Sequence, residues 1–335
     1  MSISIESLVH GWGDNESAAL RLKIANLEKW LYHTYEPDKF GDGDFEQRLE
    51  RWINNVASDE ERRTLFRLIT EIFYVGPVEF EELYRCAYQG PIARWLIDLE
   101  AIDICAANSQ AQLVDAASKT WFCPVSDSFR VNSFFHINNL AAGASLRPDW
   151  RSLFELGDPT SIANYVKQSG ITRLVLLEDF VGGGSQAIDA VEFATTIPGL
   201  QVLFVPLIIC PDGVSRMRAS ELRICSGRPG ALRYEAVMEL PAGAFLTPSQ
   251  SPFIGNIPFT DAVRKLLSDT YPKVGGGVLP SAGIKPYHPY GYPYKKPTGG
   301  LVVMYSNTPD NTLPIIHWRP KSRAWSPLFP RHSRD

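Results

Sequence analysis

The stretch from Leu174 to Ala187 reads LVLLEDFVGGGSQA, and it decides the fold of this chain. It begins with four apolar residues, continues with the acidic pair Glu178 and Asp179, and ends in three glycines before Ser185. A continuous apolar run ahead of a glycine-rich turn is typical of a central parallel strand that is buried on both faces. The stretch therefore predicts a strand, a loop and the N-terminus of a helix, in that order.

The glycines of this loop indicate an anion-binding function. Consecutive glycines adopt positive φ angles without strain, so that backbone N–H groups can close around a phosphate. The positive end of the following helix dipole adds to that attraction. We therefore expect the phosphate to be bound by Gly182, Gly183, Gly184, Ser185 and Gln186.

The two acids in front of the loop suit a ribose and a cation. Adjacent carboxylates accept hydrogen bonds from vicinal hydroxyls, and carboxylate oxygens are the ligands that Mg²⁺ prefers. A phosphate in the loop and hydroxyls on the acids together describe a ribose 5-phosphate. A Walker phosphate loop is excluded, because no lysine follows the glycines. A dinucleotide-binding GxGxxG fingerprint is excluded as well, because the spacing of the glycines does not fit it.

A second apolar run, QVLFVPLIIC, lies at Gln201–Cys210. Between the two runs, Ser185–Thr196 has apolar residues at helical spacing, so the three segments predict a βαβ unit. Such units build parallel sheets, and we expect Thr172–Leu177 and Gln201–Cys210 to be adjacent central strands. The predicted fold class is α/β, with a parallel sheet and helices on both faces.

Residues 1–110 predict helices only. The signals are a capping box at Ser58–Glu61, apolar residues at helical spacing, and chain breaks at Gly76-Pro77 and Gln89–Pro91. The region carries no chemical motif, so we expect it to be an appendage that binds a protein partner or a second copy. Two domains are predicted, residues 1–110 and residues 111–335.

Composition limits the classes of function. The chain has 335 residues and a net charge of −4, which gives no general attraction to nucleic acid or to an anionic membrane. No apolar run is long enough to span a bilayer, and the start MSISIESLVHGW lacks the features of a signal peptide, so we expect a cytoplasmic protein. Five scattered cysteines without a CxxC pair predict neither a disulfide framework nor a zinc site.

The segment Asn311–Arg334 is an exception to the overall charge. It contains five basic residues and no acid. Two interpretations stay open for it, a solvated basic tail or a contact with a polyanion such as nucleic acid.

LVLLEDFVGGGSQ resembles the signature of type I phosphoribosyltransferases, in which apolar residues and two acids precede a loop of glycine and hydroxyl residues. The resemblance implies that Glu178 and Asp179 are the catalytic pair, bind the ribose hydroxyls and lie near Mg²⁺. It also implies that Gly182–Gln186 bind the 5-phosphate, and that the ligand is phosphoribosyl diphosphate or a nucleotide.

The signature departs from the family at three positions. Glu178 stands where the family has Asp, Gly183 where it has Thr or Ser, and Gln186 where it has Thr. Two hydroxyl donors to the phosphate are therefore missing, although the backbone donors remain.

Other segments are candidates for the rest of the site. CPVSDSFR (Cys123–Arg130) is the candidate for the diphosphate side, with Arg130 as a ligand contact and a strand expected at Val131–His136; a plain surface turn is the alternative. Asn307 and Asn311 are candidate ligand contacts, and the alternative is that their amides only form turns. The tract Val274–Lys296 has no periodicity and predicts a loop or lid.

YSNTPDNTLPIIHW (Tyr305–Trp318) and WSPLFPR (Trp325–Arg331) are similar to a divergent bacterial branch of the same family. The branch consists of effectors of conflict and anti-phage loci, some encoded beside retron reverse transcriptases. The resemblance spans roughly 120–331 and implies a glycosyltransferase or a nucleotide N-glycoside hydrolase. The alternative, favoured by the missing loop hydroxyls, is a non-catalytic nucleotide sensor or partner-binding module.

Overall fold

The computed structural model describes residues 3–37, 42–140, 158–246, 256–275, 288–291 and 297–332. The chain forms two compact units, of which one consists of Met1–Pro77 with Pro241–Asp335 and the other of Val78–Leu240. Each unit has its own hydrophobic core. No helix in the described ranges is long and apolar enough to cross a bilayer.

The strands, in chain order, are β1 (Phe73–Val75), β2 (Thr120–Pro124), β3 (Arg173–Val181), β4 (Gln201–Ile209), β5 (Leu232–Tyr234), β6 (Met238–Glu239) and β7 (Val302–Met304). The α-helices are α1 (Ile5–Trp12), α2 (Asn15–Trp30), α3 (Phe45–Ile53), α4 (Asp59–Leu68), α5 (Pro77–Ala87), α6 (Ala93–Glu100), α7 (Ser109–Ser118), α8 (Val131–Ile137), α9 (Pro159–Gln168), α10 (Ser185–Thr195), α11 (Pro211–Gly227), α12 (Ile257–Val274) and α13 (Pro314–His317). A π-helical turn, Tyr88–Ile92, joins α5 to α6.

The unit Val78–Leu240 is built on a parallel sheet. Its strand order is β2-β3-β4-β5, and β6 also pairs with β4. The two apolar runs are neighbours in register, with Leu174 opposite Val202 and Glu178 opposite Pro206. The predicted adjacency of the two central strands and the α/β fold class are confirmed.

Helices cover both faces of this sheet, because successive side chains of a strand point to opposite sides. On one face, Trp121 and Leu174 belong to a core that includes residues of α9, α10 and α11. On the other face, the ring of Phe122 meets the rings of Phe134 and Phe135 of α8, with centroids 5.8 and 5.9 Å apart. The strands are buried on both sides, which explains their continuous apolar sequence.

Two predictions for this unit are wrong, namely the type of one element and the end of one strand. Val131–His136 is helical, because its apolar side chains recur at helical spacing and Phe134 is fully buried among the aromatic rings that cover β2. Tertiary packing thus overrides the strand propensity of Val and Phe. The strand β3 runs on to Val181, past the predicted end at Leu177, because Phe180 and Val181 stay paired with β4.

The other unit combines the N-terminal helices with the C-terminal part of the chain. The rings of Tyr32, Tyr35 and Phe45 surround Phe329 at centroid distances of 5.1, 5.2 and 5.9 Å. Trp52 Nε1 donates a hydrogen bond to the Ile315 carbonyl at 2.7 Å. The compact units divide after Pro77 and after Leu240. The domain assignment 1–110 and 111–335, which rests on local sequence patterns, stays a prediction.

The N-terminal region is helical as predicted, apart from the short strand β1, which forms a parallel pair with β7, Tyr74 lying opposite Val303. The basic C-terminal segment is not a solvated tail, because Leu328 and Phe329 are fully buried. Within it, Arg319 pairs with Asp42 at 2.5 Å.

Candidate functional site

The acidic pair lies in the last part of β3, at the carboxyl edge of the sheet. Glu178 and Asp179 expose only 7% and 3% of their surface. In open parallel sheets, ligands bind beyond the carboxyl ends of the strands. Two buried carboxylates at that edge need polar partners, since an unpaired buried charge is strongly unfavourable.

The loop between β2 and α8 supplies those partners. The backbone N–H of Ser126 donates to Glu178 Oε2 at 3.0 Å, and Ser128 Oγ donates to Asp179 Oδ1 at 2.9 Å. The two serine hydroxyls are 2.6 Å apart. The segment Cys123–Arg130, predicted for the diphosphate side, therefore adjoins the acidic pair, because β2 and β3 are neighbouring parallel strands.

Arg130 is the N-cap residue of α8 and is exposed. Its backbone carbonyl accepts a hydrogen bond from Phe134 N at 3.2 Å. A turn followed by a helix replaces the predicted turn followed by a strand. Contact of Arg130 with a ligand stays a prediction.

Burial raises the pKa of Glu178 well above its ordinary value, and repulsion by Asp179 adds to this shift. The hydrogen bond from Ser126 acts in the opposite direction. A buried carboxyl next to a second one holds its proton more firmly than an exposed carboxyl does. A cation near the pair would favour the ionised form of Glu178.

The glycine loop connects β3 to α10 as predicted. Gly184 is the N-cap residue of α10 and adopts φ +79° and ψ 0°, a left-handed conformation that favours glycine. At Gly183, an added Cβ would meet no heavy atom within 4 Å, so the loop is open on that side. The strand, loop and helix are in place, while phosphate binding by Gly182–Gln186 stays a prediction.

The neighbouring helix α11 supports this loop through Gly213, which sequence reasoning missed. A Cβ at Gly213 would lie 2.7 Å from the carbonyl oxygen of Gly182 and 2.9 Å from Ile209 Cγ1. Such contacts do not occur for real side chains, so α11 approaches the loop this closely only because residue 213 is glycine. The sequence offered only a glycine in the first turn of a helix as a signal.

Arg216 is the second residue that sequence reasoning missed. Its Nη1 donates to Ser185 Oγ at 2.9 Å, and both side chains belong to exposed residues. The contact joins the first turn of α10 to the second turn of α11. No local sequence pattern connects residues 31 positions apart.

Asn307 and Asn311 lie in the other unit. Asn307 Nδ2 donates to the His332 carbonyl at 2.9 Å, and its Oδ1 accepts from Thr308 N at 3.0 Å. Asn311 is buried, and its carbonyl oxygen accepts from Thr298 Oγ1 at 2.9 Å. Their contact with a ligand stays a prediction. Most of the tract Val274–Lys296 lies outside the described residues.

The acidic pair offers carboxylate oxygens, the kind of ligand that Mg²⁺ prefers. In the described ranges, no group of three or more His, Cys, Asp or Glu side chains is gathered around a point. Mg²⁺ is usually held by one or two carboxylates together with substrate phosphates. The pair Glu178 and Asp179 fits that mode and does not form an all-protein cage.

The fold and the site define a phosphoribosyltransferase-like protein, with a parallel sheet, an acidic pair and a glycine loop at its carboxyl edge. A family model described as PRTase-CE matches residues 49–331. The chain therefore belongs to the PRTase-CE family, and the resemblance to phosphoribosyltransferases is confirmed at that level. No curated protein and no solved structure shows significant similarity to the chain.

Proposed function

We propose that the unit Val78–Leu240 binds phosphoribosyl diphosphate or a nucleotide. The observation that carries the proposal is the placement of an acidic pair and a glycine loop on one strand–loop–helix, with the Ser126–Ser128 loop beside them. Glu178 and Asp179 bind the ribose hydroxyls, and the amides of Gly182–Gln186 bind the 5-phosphate. Arg130 lies on the side of the diphosphate.

The chemistry that fits this arrangement is cleavage of the bond at C1 of the ribose. That bond loosens before a nucleophile arrives, so the protein mainly positions both ends and stabilises the departing group. Mg²⁺ near Glu178 and Asp179 would neutralise the diphosphate when bound. A base as acceptor gives glycosyl transfer, and water as acceptor gives hydrolysis of an N-glycoside or of the phosphoribosyl donor.

The biological role that we propose is a cytoplasmic effector of anti-phage defence that acts on nucleotides. Membership of the PRTase-CE family and the resemblance of Tyr305–Trp318 and Trp325–Arg331 to retron-associated effectors support this role. The N-terminal helices would bind a protein partner. Enzymatic removal of a nucleotide or its precursor would deprive phage replication of its building blocks.

A second candidate is a non-catalytic nucleotide sensor. One observation favours it: both acids already accept hydrogen bonds from protein groups, Glu178 from Ser126 N and Asp179 from Phe180 N and Ser128 Oγ. Release of pyrophosphate or ribose 5-phosphate on incubation with phosphoribosyl diphosphate and Mg²⁺ separates the two functions. An enzyme releases product over many turnovers, whereas a sensor binds and releases the ligand unchanged.

The double variant Glu178→Gln, Asp179→Asn tests the ligand assignment. It keeps hydrogen-bonding groups but removes two negative charges. Loss of one charge-assisted hydrogen bond weakens binding by about ten- to a hundredfold, so affinity for phosphoribosyl diphosphate with Mg²⁺ should fall by that factor. Inorganic phosphate should bind as in the wild type. Equal loss for both ligands indicates a collapsed loop, and no loss for either contradicts the assignment of the acids.

A further inference from the structure

Arg216 lies on the helix that supports the glycine loop. The helix α11 begins directly beyond β4, the neighbour of β3, and its Gly213 contacts Gly182. Residues three apart lie on the same side of a helix, so Arg216 follows Gly213 toward the loop. Its guanidinium reaches Ser185 Oγ at 2.9 Å.

The three arginines of α11 differ in their partners. Two other arginines of α11 form ion pairs, Arg218 with Glu239 and Arg223 with Glu192. Within the part of the chain that the structure describes, Arg216 forms no ion pair and donates to a neutral hydroxyl. A guanidinium in this position is available to an anion, and it presents several donors in a plane that matches a phosphate.

The glycine loop, in contrast, has few side-chain donors for an anion. Ser185 is the only hydroxyl residue in Gly182–Gln186, and an added Cβ at Gly183 would meet nothing within 4 Å. The side of the loop where side-chain donors are absent is thus open to solvent. A cation from the adjacent helix would replace the missing hydroxyl donors.

We propose that Arg216 is a phosphate-binding residue that donates hydrogen bonds to a phosphate monoester bound in the Gly182–Gln186 loop. The inference rests on the proposed function and adds a residue from α11 to the site. Ser185 holds the guanidinium beside the loop, and the bound phosphate accepts hydrogen bonds from Arg216 and from the backbone amides. A dianionic monoester such as ribose 5-phosphate is the class of ligand that this arrangement favours.

Titration calorimetry with ribose 5-phosphate tests the inference on the full chain. Arg216→Ala should weaken binding about tenfold or more, because a charge-assisted hydrogen bond is lost. Arg216→Lys, which keeps the charge, should fall between Arg216→Ala and the wild type. The matched control is Arg218→Ala, which removes the same charge from the same helix and should bind as the wild type.

The outcomes separate the inference from the proposed function. If the wild type binds ribose 5-phosphate and Arg216→Ala binds it equally well, the inference is wrong and the proposed function stands. Equal weakening in Arg216→Ala and Arg218→Ala also contradicts the inference, since it indicates a general charge effect. If the wild type binds neither ribose 5-phosphate nor phosphoribosyl diphosphate, the proposed function fails and the inference fails with it.

Discussion

Ser126 and Glu178 are joined by a hydrogen bond of 3.0 Å from the backbone N–H of the one to the carboxylate of the other. The donor lies on the loop after β2 and the acceptor lies in β3. The loop that follows β2 is therefore attached to the neighbouring strand β3 through a buried acid. The hydrogen bond favours the ionised form of Glu178, whereas burial and the neighbouring Asp179 raise the pKa of this carboxyl.

The first prediction concerns Glu178 and pH. The pKa of Glu178 is raised in the folded state, so the folded chain binds more protons than the unfolded chain above the ordinary pKa of Glu. The free energy of unfolding contributed by this group therefore falls as pH rises from about 4.3. Glu178→Gln stays neutral, and its stability relative to the wild type should therefore increase as pH rises above the ordinary pKa of Glu.

Urea unfolding of the ligand-free protein at several pH values measures this difference. The control is Glu192→Gln, which makes the same substitution at a side chain that is 43% exposed. A stability difference between Glu178→Gln and the wild type that does not grow with pH would contradict the prediction.

The second prediction concerns the contact of α11 with the glycine loop. Gly213→Ala places a Cβ 2.7 Å from the Gly182 carbonyl oxygen, so the helix or the loop must shift. Overpacking of this kind costs about 1–3 kcal/mol, and we expect the urea midpoint to fall accordingly. Gly227→Ala, at the other end of the same helix, meets nothing within 4 Å and should leave the midpoint unchanged or raise it. Equal midpoints for the two variants would refute the close contact.

The third prediction is a gain of affinity at Gly183. An added Cβ there meets no heavy atom within 4 Å, so Gly183→Ser should fold normally. The new hydroxyl restores a donor that the resemblance to phosphoribosyltransferases assigns to this position. Inorganic phosphate should bind about tenfold more tightly, as expected for one hydrogen bond to a charged group. Gly227→Ser serves as the control; unchanged or weaker binding in Gly183→Ser would place the phosphate elsewhere.

The fourth prediction concerns acid stability of the other unit. Burial lowers the pKa of His317 to about 3, and the charge of Arg331 acts in the same direction. The unfolded chain then binds one more proton than the folded chain between pH 3 and the ordinary pKa of His, about 6.5. The free energy of unfolding should therefore fall by up to about 1.4 kcal/mol per pH unit below pH 6.5.

His317→Gln should remove this part of the pH dependence, whatever its effect on stability at pH 7. His10→Gln provides the matched control, because it makes the same substitution at an exposed histidine. Urea midpoints at pH 7, 6, 5 and 4 give the slopes. A slope in His317→Gln equal to that of the wild type would show that another group causes the acid sensitivity.

The part of the fold that could be predicted carries local signals. The runs Leu174–Leu177 and Val202–Cys210 are apolar without interruption because the strands are covered on both faces, and the helix at Ser185 begins where the glycines end. The capping box at Ser58 and Glu61 is formed as the sequence indicated. Such features depend on residues close together in the chain, so a single sequence contains them.

The parts that could not be predicted depend on contacts between distant residues. Pairing of Phe73–Val75 with Val302–Met304 joins segments more than two hundred residues apart, and neither segment shows it alone. Val131–Ile137 has strand-forming residues, but packing of Phe134 makes it a helix. Gly213 and Arg216 reach the loop only because β4 lies beside β3.

The central claim is that the Gly182–Gln186 loop binds the phosphate of a phosphoribosyl ligand. The most direct test is calorimetric titration of phosphoribosyl diphosphate with Mg²⁺ into the wild type, Gly184→Val and Gly230→Val. Gly184 and Gly230 have similar left-handed φ angles of +79° and +74°, so both variants carry a similar backbone penalty, of about 1–2 kcal/mol. The account predicts saturable binding by the wild type and Gly230→Val, and loss of binding in Gly184→Val while circular dichroism shows it folded. Absence of binding by the wild type, or equal affinity in Gly184→Val, would contradict it.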